Sequence, residues 1–277
     1  KFRRSFFKNC KGKKMKFYRI YALFLRHFFL IKSSFPRLLD LIYWPTIQII
    51  LWGFISKFFT MHSDFYNHTA GIILSAAILY DFLFRSSISF NMLFLEEIWS
   101  RNFTNLFIAP LKVSEIITSL TATALIRTLI GIIPAVLLVF PFFGVSLLNL
   151  GPALVLLLFS LYMFGITLGL LVVSGLLRYG PAFENVAWSS LFLLAPLGCI
   201  YYPLSILPDW LQVLAKALPL VYIFEEVRSI LLNNVVNYKN IMSALILNLT
   251  YFTLSIFVFY SAFSEARKRG TLINVGE

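Results

Sequence analysis

The sequence predicts an all-α integral membrane protein, on two observations. Hydrophobic residues make up 59% of the 277 and charged residues only 13%, against roughly 25% charged residues in a soluble domain. The apolar residues also fall into long runs, and a helix of about 20 such residues crosses the hydrocarbon core of a bilayer. This composition excludes a soluble globular protein.

Six segments have the length of a transmembrane helix. They are Leu38 to Phe59, Ala70 to Leu95, Val113 to Val139, Gly151 to Leu177, Ala182 to Tyr201 and Ile241 to Phe263. The chain therefore divides into a basic arm over residues 1–37, a six-helix domain over 38–263 and a tail over 264–277. We expect an internal transmembrane helix, rather than a cleaved signal peptide, to direct insertion, because basic residues interrupt the stretch that precedes the first helix.

The basic residues are distributed unevenly along the chain. Lys and Arg number 24 against 12 Asp and Glu, and half of these basic residues precede residue 38. With both termini inside, 18 of the 24 lie in inner segments, as the positive-inside rule requires, so we expect both termini in the cytoplasm. Because the charge is not spread over a polar domain, it does not indicate a nucleic-acid partner.

The end of the basic arm, Met15 to Ile31, predicts a helix lying along the inner membrane surface. Its apolar residues recur at near-helical spacing, and its polar residues fall largely on other faces. The apolar set is Phe17, Ile20, Phe24, Phe28 and Ile31, and the polar set is Lys16, Arg19, Arg26 and His27. The alternative is a basic arm that only holds the N-terminus inside.

The stretch before the last predicted crossing is too apolar for a solvated loop and too often broken by proline for a straight helix. Pro203, Pro208 and Pro219 interrupt it, and Trp210 lies in a short amphipathic piece. Each helical piece is far shorter than a crossing. We therefore predict a re-entrant helical hairpin over 203–232 that dips into the outer leaflet and returns.

The chain contains no recognisable catalytic, cofactor-binding or metal-binding pattern. Its three histidines, His27, His62 and His68, form no zinc or catalytic motif, and no glycine-rich phosphate loop is present. Two cysteines cannot build a disulfide framework. We predict that the chain is not an enzyme by itself and holds no cofactor, and that another chain supplies any energy it uses.

The inner segment from Glu96 to Lys112 combines a charged turn with apolar residues at helical spacing, and Pro110 closes it. We predict a short helix at the cytoplasmic surface. Glu97 and Arg101 stand four residues apart, but a pair at that spacing adds only about 0.2–0.5 kcal/mol, so contact with a protein partner explains them better. The alternative is an ordinary interfacial loop anchored by Trp99.

Arg127 lies midway through the third predicted helix, where a charge costs about 2.5–3.5 kcal/mol. Ser119 and Thr123 precede it at four-residue intervals and give one helix face a polar stripe. Two interpretations remain open, a stripe that lines a passage and a buried structural ion pair. Asp81 and Arg85 stand one turn apart in the second helix, and we expect them to neutralise each other, with a role in transport as the alternative.

Gly165 and Gly169 in the fourth predicted helix are separated by three residues. Small residues at this spacing allow close approach of two helices. Glycine is common in membrane helices, so we expect packing within the chain.

Taken in this order, the features resemble the membrane subunit of ATP-binding-cassette exporters of the ABC-2 type, over about residues 15 to 277. The matching residues are Leu38 to Pro45 entering the first helix, Arg101 to Asn105 leading to Ala109-Pro110-Leu111 and Glu115, Tyr202 to Pro208 with Leu218-Pro219-Leu220, and Arg269 to Leu272. The family often has glycine where Asn102 or Phe103 stands here.

This resemblance implies a permease subunit of the bacterial inner membrane that forms a homodimer. Each copy would rest on a separate cytoplasmic ATPase subunit that binds ATP and Mg. The family's coupling helix corresponds to Glu96 through Leu111, and the candidate coupling residues are Glu96, Glu97, Arg101, Asn105, Pro110 and Leu111. Family members export polysaccharides, lipids, drugs or other hydrophobic compounds.

A function of a different class is an ATP-independent secondary transporter or a membrane scaffold. A secondary transporter should carry ionisable groups near the bilayer midplane in paired, broken helices. In this sequence only Asp81, Arg85 and Arg127 qualify.

Overall fold

The computed structural model describes residues 16–62, 67–100, 102, 109 and 111–269, which form helices and turns with no strand among them. Within these ranges the α-helices are α1 (Phe17–Lys32), α2 (Phe35–His62), α3 (Asn67–Trp99), α4 (Val113–Phe143), α5 (Ala153–Tyr179), α6 (Glu184–Leu197), α7 (Asp209–Ala215), α8 (Pro219–Asn233) and α9 (Tyr238–Arg269). Short 3₁₀ turns occupy Leu147–Leu150, Pro181–Phe183 and Leu204–Ile206. The predicted all-α class is confirmed.

Five of the described helices, α2, α3, α4, α5 and α9, are long and apolar enough to cross a bilayer. The segment predicted as a crossing over Ala182 to Tyr201 differs, because α6 has only 14 residues. At about 1.5 Å per residue this helix is roughly 21 Å long, against a hydrocarbon core of about 30 Å. The count of six crossings therefore stays a prediction.

The helix α6 stops early for a local reason. Gly198 follows it, and Cys199 adopts a φ of 52°, in the left-handed region where a residue with a side chain cannot continue a right-handed helix. The thiol of Cys199 is buried against Ala215 and Val221. The chain thus turns sharply at the point where the sequence predicted a continuous crossing.

The central helix of the bundle is α3. Leu74, Leu79, Leu83 and Leu93 on this helix are fully buried, and α3 packs against α2, α4 and α5. The helix α5 packs in turn against α9. By contrast, α2 and α9 keep most of their apolar windows exposed, as expected for helices that face lipid or another subunit.

Gly165 and Gly169 allow α5 to approach α3 closely, which confirms the predicted packing within the chain. A Cβ atom on Gly165 would lie 2.8 Å from Cβ of Ser86 and 3.0 Å from the carbonyl oxygen of Leu83. A Cβ atom on Gly169 would lie 2.9 Å from the ring of Phe90. Neither position has room for a larger residue unless the neighbours shift.

The predicted N-terminal helix is present as α1, but the side that faces the protein differs from the predicted apolar side. Its buried residues are Leu23, His27 and Ile31, whereas Phe17 is 79% exposed. The buried set follows one helix face at four-residue spacing. The contact of His27 with Glu97, rather than apolar character alone, directs this face towards the bundle, and the placement of α1 along the membrane surface stays a prediction.

The two short helices predicted before the last crossing are present as α7 and α8. Pro208 immediately precedes α7, and Pro219 is the first residue of α8, where the missing N–H of proline costs nothing. Pro203 precedes the 3₁₀ turn, and Trp210 on α7 is 68% exposed. Their insertion into the outer leaflet stays a prediction.

Candidate functional site

The carboxylate of Glu97, near the end of α3, is buried against α1. Arg26 donates from Nη1 to Oε1 at 2.7 Å and from Nη2 to Oε2 at 3.2 Å, which is a bidentate geometry. Asn102 donates from Nδ2 to Oε2 at 2.6 Å, and Nε2 of His27 lies 2.9 Å from Oε1. Glu97 is only 3% exposed, and these partners compensate the loss of its hydration.

A second buried carboxylate, Glu115, lies in the first turn of α4 and is 0% exposed. Its Oε2 accepts a hydrogen bond from the backbone N–H of Lys112 at 2.8 Å, which satisfies a free donor at the start of α4. Its Oε1 accepts from the backbone N–H of Lys16 at 3.0 Å, and Nη1 of Arg19 lies 3.7 Å from Oε2. One carboxylate therefore joins the start of α1 to the start of α4.

We name Arg19, Arg26, His27, Glu97 and Glu115 together the α1 clamp. Glu97 lies at the end of α3 and Glu115 at the start of α4, so the clamp holds both ends of the segment that joins these helices. Arg19 and Arg26 are seven residues apart, about 10 Å along a helix. The helix α1 thus sets the distance between the two ends of the segment.

The residues predicted to couple the chain to a partner lie in and around this segment. Arg101, Asn105 and Pro110 lie outside the described residues, and Leu111 is half-buried just before α4. The sequence analysis interpreted Glu97 through its spacing to Arg101. It did not identify the partners of Glu97 that the structure describes. Arg26 stands 71 residues before Glu97, so no local spacing could have shown the pair.

Glu96, the neighbouring residue on α3, pairs with α4 instead of α1. Nη1 of Arg127 donates to Oε1 of Glu96 at 3.1 Å, and Arg127 is 8% exposed. The hydroxyl of Thr123 donates to the carbonyl oxygen of Ser119 at 2.9 Å, and both residues are buried. This geometry supports the ion-pair interpretation of Arg127, and the alternative that the stripe lines a passage stays a prediction.

An apolar cavity of about 600 Å³ lies between α3, α4 and α5. Ile78, Val136 and Leu158 contribute to its wall from the three helices, and Ser146 also lines it. Ser119, Thr123 and Arg127, which form the predicted polar stripe on α4, do not line this cavity. A cavity with such a lining accommodates apolar groups rather than water.

Two further buried carboxyl groups in the bundle have partners in the structure. Asp81 is fully buried, and its Oδ1 lies 3.5 Å from Nε of Arg85, so the predicted neutralisation is confirmed. Glu226 on α8 is also fully buried and accepts hydrogen bonds from the backbone N–H of Asn237 and from Nδ2 of Asn240. Glu226 thereby ties α8 to the start of α9.

Arg228 on α8 holds the chain where α6 ends. Its Nη1 donates to the carbonyl oxygens of Cys199 at 2.8 Å and Ile200 at 3.2 Å, groups left without helical partners. Its Nη2 donates to Oε1 of Glu225 at 3.0 Å, and the same oxygen accepts from the N–H of Leu204 at 2.8 Å. The sequence interpretation missed this residue, because nothing in its spacing marks it.

The chain matches the ABC-2 type transporter family over residues 19–232. It belongs to that family. The match runs from α1 to the end of α8 and includes every residue of the α1 clamp. No curated protein is significantly similar to the chain.

As an ABC-2 type transporter, the chain is a multi-pass membrane protein and a transport component rather than a catalyst. Within the part of the chain that the structure describes, no three His, Cys, Asp or Glu side chains converge as a metal site. The chemistry available to the α1 clamp is that of charge pairs, which hold helices together.

Proposed function

We propose that this chain is the permease subunit of an ABC-2 type exporter. It moves a lipid, glycan, drug or other amphipathic compound outward, using ATP hydrolysed with Mg on a separate cytoplasmic ATPase subunit. The observation that carries the proposal is the α1 clamp, because it holds both ends of the segment that corresponds to the coupling helix of the family.

The α1 clamp gives a route for force from such a partner. A push on the segment between α3 and α4 acts on Glu97 at one end and on Glu115 at the other. Breaking a buried ion pair by removing one partner costs about 3–5 kcal/mol, so the clamped helices move together rather than separately. Glu96 carries the same movement to Arg127, further along α4.

The membrane arrangement follows from the charge distribution. Arg26 and Arg19 place α1 on the basic side of the protein, which the positive-inside rule assigns to the cytoplasm. The region of α6 then serves as the fifth crossing, and both termini are cytoplasmic. The exposed apolar faces of α2 and α9 are available for lipid and for a second copy of the chain.

The described interior favours an amphipathic cargo over an ionic one. The buried Asp81 and Arg127 each have a partner of opposite charge, Arg85 and Glu96. These charges are therefore engaged with each other and do not face an ionic cargo. The cavity between α3, α4 and α5 is apolar. This pairing also weighs against the secondary transporter, which needs midplane groups that exchange partners during transport.

Co-purification with a cassette ATPase, sought first in the gene next to the one for this chain, tests the proposal. Replacing Glu97 and Arg101 with alanine should leave the protein inserted but reduce the amount of ATPase retained and its rate of hydrolysis. The matched control replaces Asp209 and Lys216, an exposed acid and base on and just after α7, and should behave like the unmodified protein. An unchanged complex and an unchanged hydrolysis rate in the Glu97 and Arg101 variant would contradict the coupling assignment.

A further inference from the structure

The apolar cavity between α3, α4 and α5 lies in the half of the bundle away from the α1 clamp. Its wall on α4 runs from Leu129 to Phe140, towards the end of that helix opposite to Glu115. Val145 to Leu148, in the turn that follows α4, line it as well. Between Leu129 and Phe140 a helix rises about 16 Å, close to half of a hydrocarbon core of about 30 Å. The cavity therefore has the depth of a single leaflet.

The cavity has a buried floor and an exposed rim. Ile78 and Phe82, on the central helix α3, line it and are buried. Leu137 and Phe140, on α4, also line it and are 69% and 65% exposed. The cavity thus opens through the side of the bundle, where the medium around transmembrane helices is lipid.

The position of the cavity between the helices shows what an occupant would do for the fold. Both α4 and α5 pack against α3, and the cavity occupies the gap between α4 and α5. Protein interiors are normally packed as densely as organic crystals. An empty gap would leave the apolar atoms on its walls without contacts on one side, so filling it stabilises the position of α4 relative to α5.

The lining selects an apolar occupant rather than water. Apart from Ser146, the described lining is aliphatic and aromatic, whereas a buried water needs two to four polar partners. The volume of about 600 Å³ falls within the range of about 300–1,000 Å³ typical of ligand pockets. An acyl chain has the required apolar character and surrounds the opening at all times.

Polar groups lie at the end of the cavity near the turn after α4. Oγ of Ser146 accepts a hydrogen bond from the N–H of Leu148 at 3.3 Å, a bond that uses an oxygen lone pair and not the hydroxyl hydrogen. Asn149 is exposed in the same turn. An apolar cavity with hydrogen-bond donors at one end complements an acyl chain that ends in a polar headgroup.

We propose that this cavity is a binding site for one acyl chain of a bilayer phospholipid. The chain enters from the leaflet away from the α1 clamp, fills the gap between α4 and α5, and leaves its headgroup near Ser146 and Asn149. In the membrane arrangement proposed above, this leaflet is the outer one. The bound lipid is a structural component of the transporter rather than its cargo.

Photo-crosslinking of the full-length chain in lipid nanodiscs locates the bound acyl chain. The nanodiscs contain phosphatidylcholine with a diazirine halfway along one acyl chain, and mass spectrometry maps the label after illumination. The peptide that holds Ile78 and Phe82 should be labelled, because a chain reaches the central helix there by entering the cavity. Label on the exposed faces of α2 and α9 with none on this peptide overturns the site. Neither ATP nor cargo is present, so the outcome is independent of the proposed export function.

A matched pair of variants tests whether the label depends on the cavity. Val136 lines the cavity, and Val136→Trp places a larger side chain where the acyl chain would lie. Label on α3 should fall about fivefold or more, since overpacking excludes the chain. Val155 on α5 is exposed and does not line the cavity, so Val155→Trp should keep the unmodified yield. An unchanged yield in Val136→Trp, or an equal loss in Val155→Trp, overturns the site.

A second measurement uses the unmodified protein and tests the length of the occupant. The labelled lipid is diluted with unlabelled phosphatidylcholine that has either long or short acyl chains. A short chain competes for the exposed surface of α9 but cannot fill a cavity one leaflet deep. The ratio of label on α3 to label on α9 should therefore rise with the short-chain lipid and stay constant with the long-chain lipid. The same ratio with both lipids overturns the site.

Discussion

Replacing Glu115 with glutamine is expected to free the start of α1 from α4. The carboxylate accepts the N–H groups of Lys112 and Lys16 with separate oxygens, whereas glutamine has one carbonyl oxygen and presents an NH₂ group to the other donor. One hydrogen bond to a charged group is lost, worth about 1.5–3 kcal/mol. The pair with Arg19, at 3.7 Å, adds about 0–1 kcal/mol.

A loss of about 2–3 kcal/mol raises the undocked fraction of α1 roughly 30- to 150-fold. Hydrogen exchange of the full-length protein at fixed pH measures this change as faster exchange of the amides of residues 17–25, with the amides of α9 as an internal reference. Glu184→Gln is the matched control, since Glu184 also lies in the first turn of a helix. Unchanged exchange in α1 of Glu115→Gln would refute the assignment of Glu115 to the α1 clamp.

Three further predictions concern the bundle. Arg127→Leu should preserve or improve insertion, because it removes a central charge, while reducing export; loss of folding without a separate export defect would indicate a structural role alone. Gly165→Ala should lower the free energy of unfolding by about 1–2 kcal/mol, since overpacking of about 1–3 kcal/mol exceeds the gain in helix propensity; Gly71→Ala, whose nearest neighbour would be 3.9 Å away, should be neutral or stabilising. Asp209→Cys, in a background with both cysteines replaced, should react with an impermeant thiol reagent from outside only; labelling from inside only would place a real crossing within 203–232.

Much of the fold could be predicted because a bilayer demands long apolar helices. The five long helices follow from apolar runs, and the prolines at 203, 208 and 219 correctly mark where short helical turns begin. The early end of α6 was missed, because the left-handed turn at Cys199 is stabilised by Arg228 on a later helix. Such a contact leaves no trace in the local apolar pattern.

The candidate site was harder to predict than the helices. Glu97 was predicted, with Arg101, to contact a protein partner, but its described partners Arg26 and His27 belong to a helix far away in sequence. Local spacing instead favoured Arg101. Pairing between distant segments is decided by how helices pack, and a single sequence carries only the periodicity of each helix by itself.

The close approach of α5 to α3 restricts how this transporter changes shape. At Gly165 the backbone of α5 lies almost against Cβ of Ser86 and the carbonyl oxygen of Leu83 on α3, with no side chain of α5 to separate the two helices. Sliding one helix past the other would bring Cα atoms and carbonyl groups into collision. We therefore expect α3 and α5 to move together as one rigid unit. Any opening of the bundle then occurs between other pairs of helices.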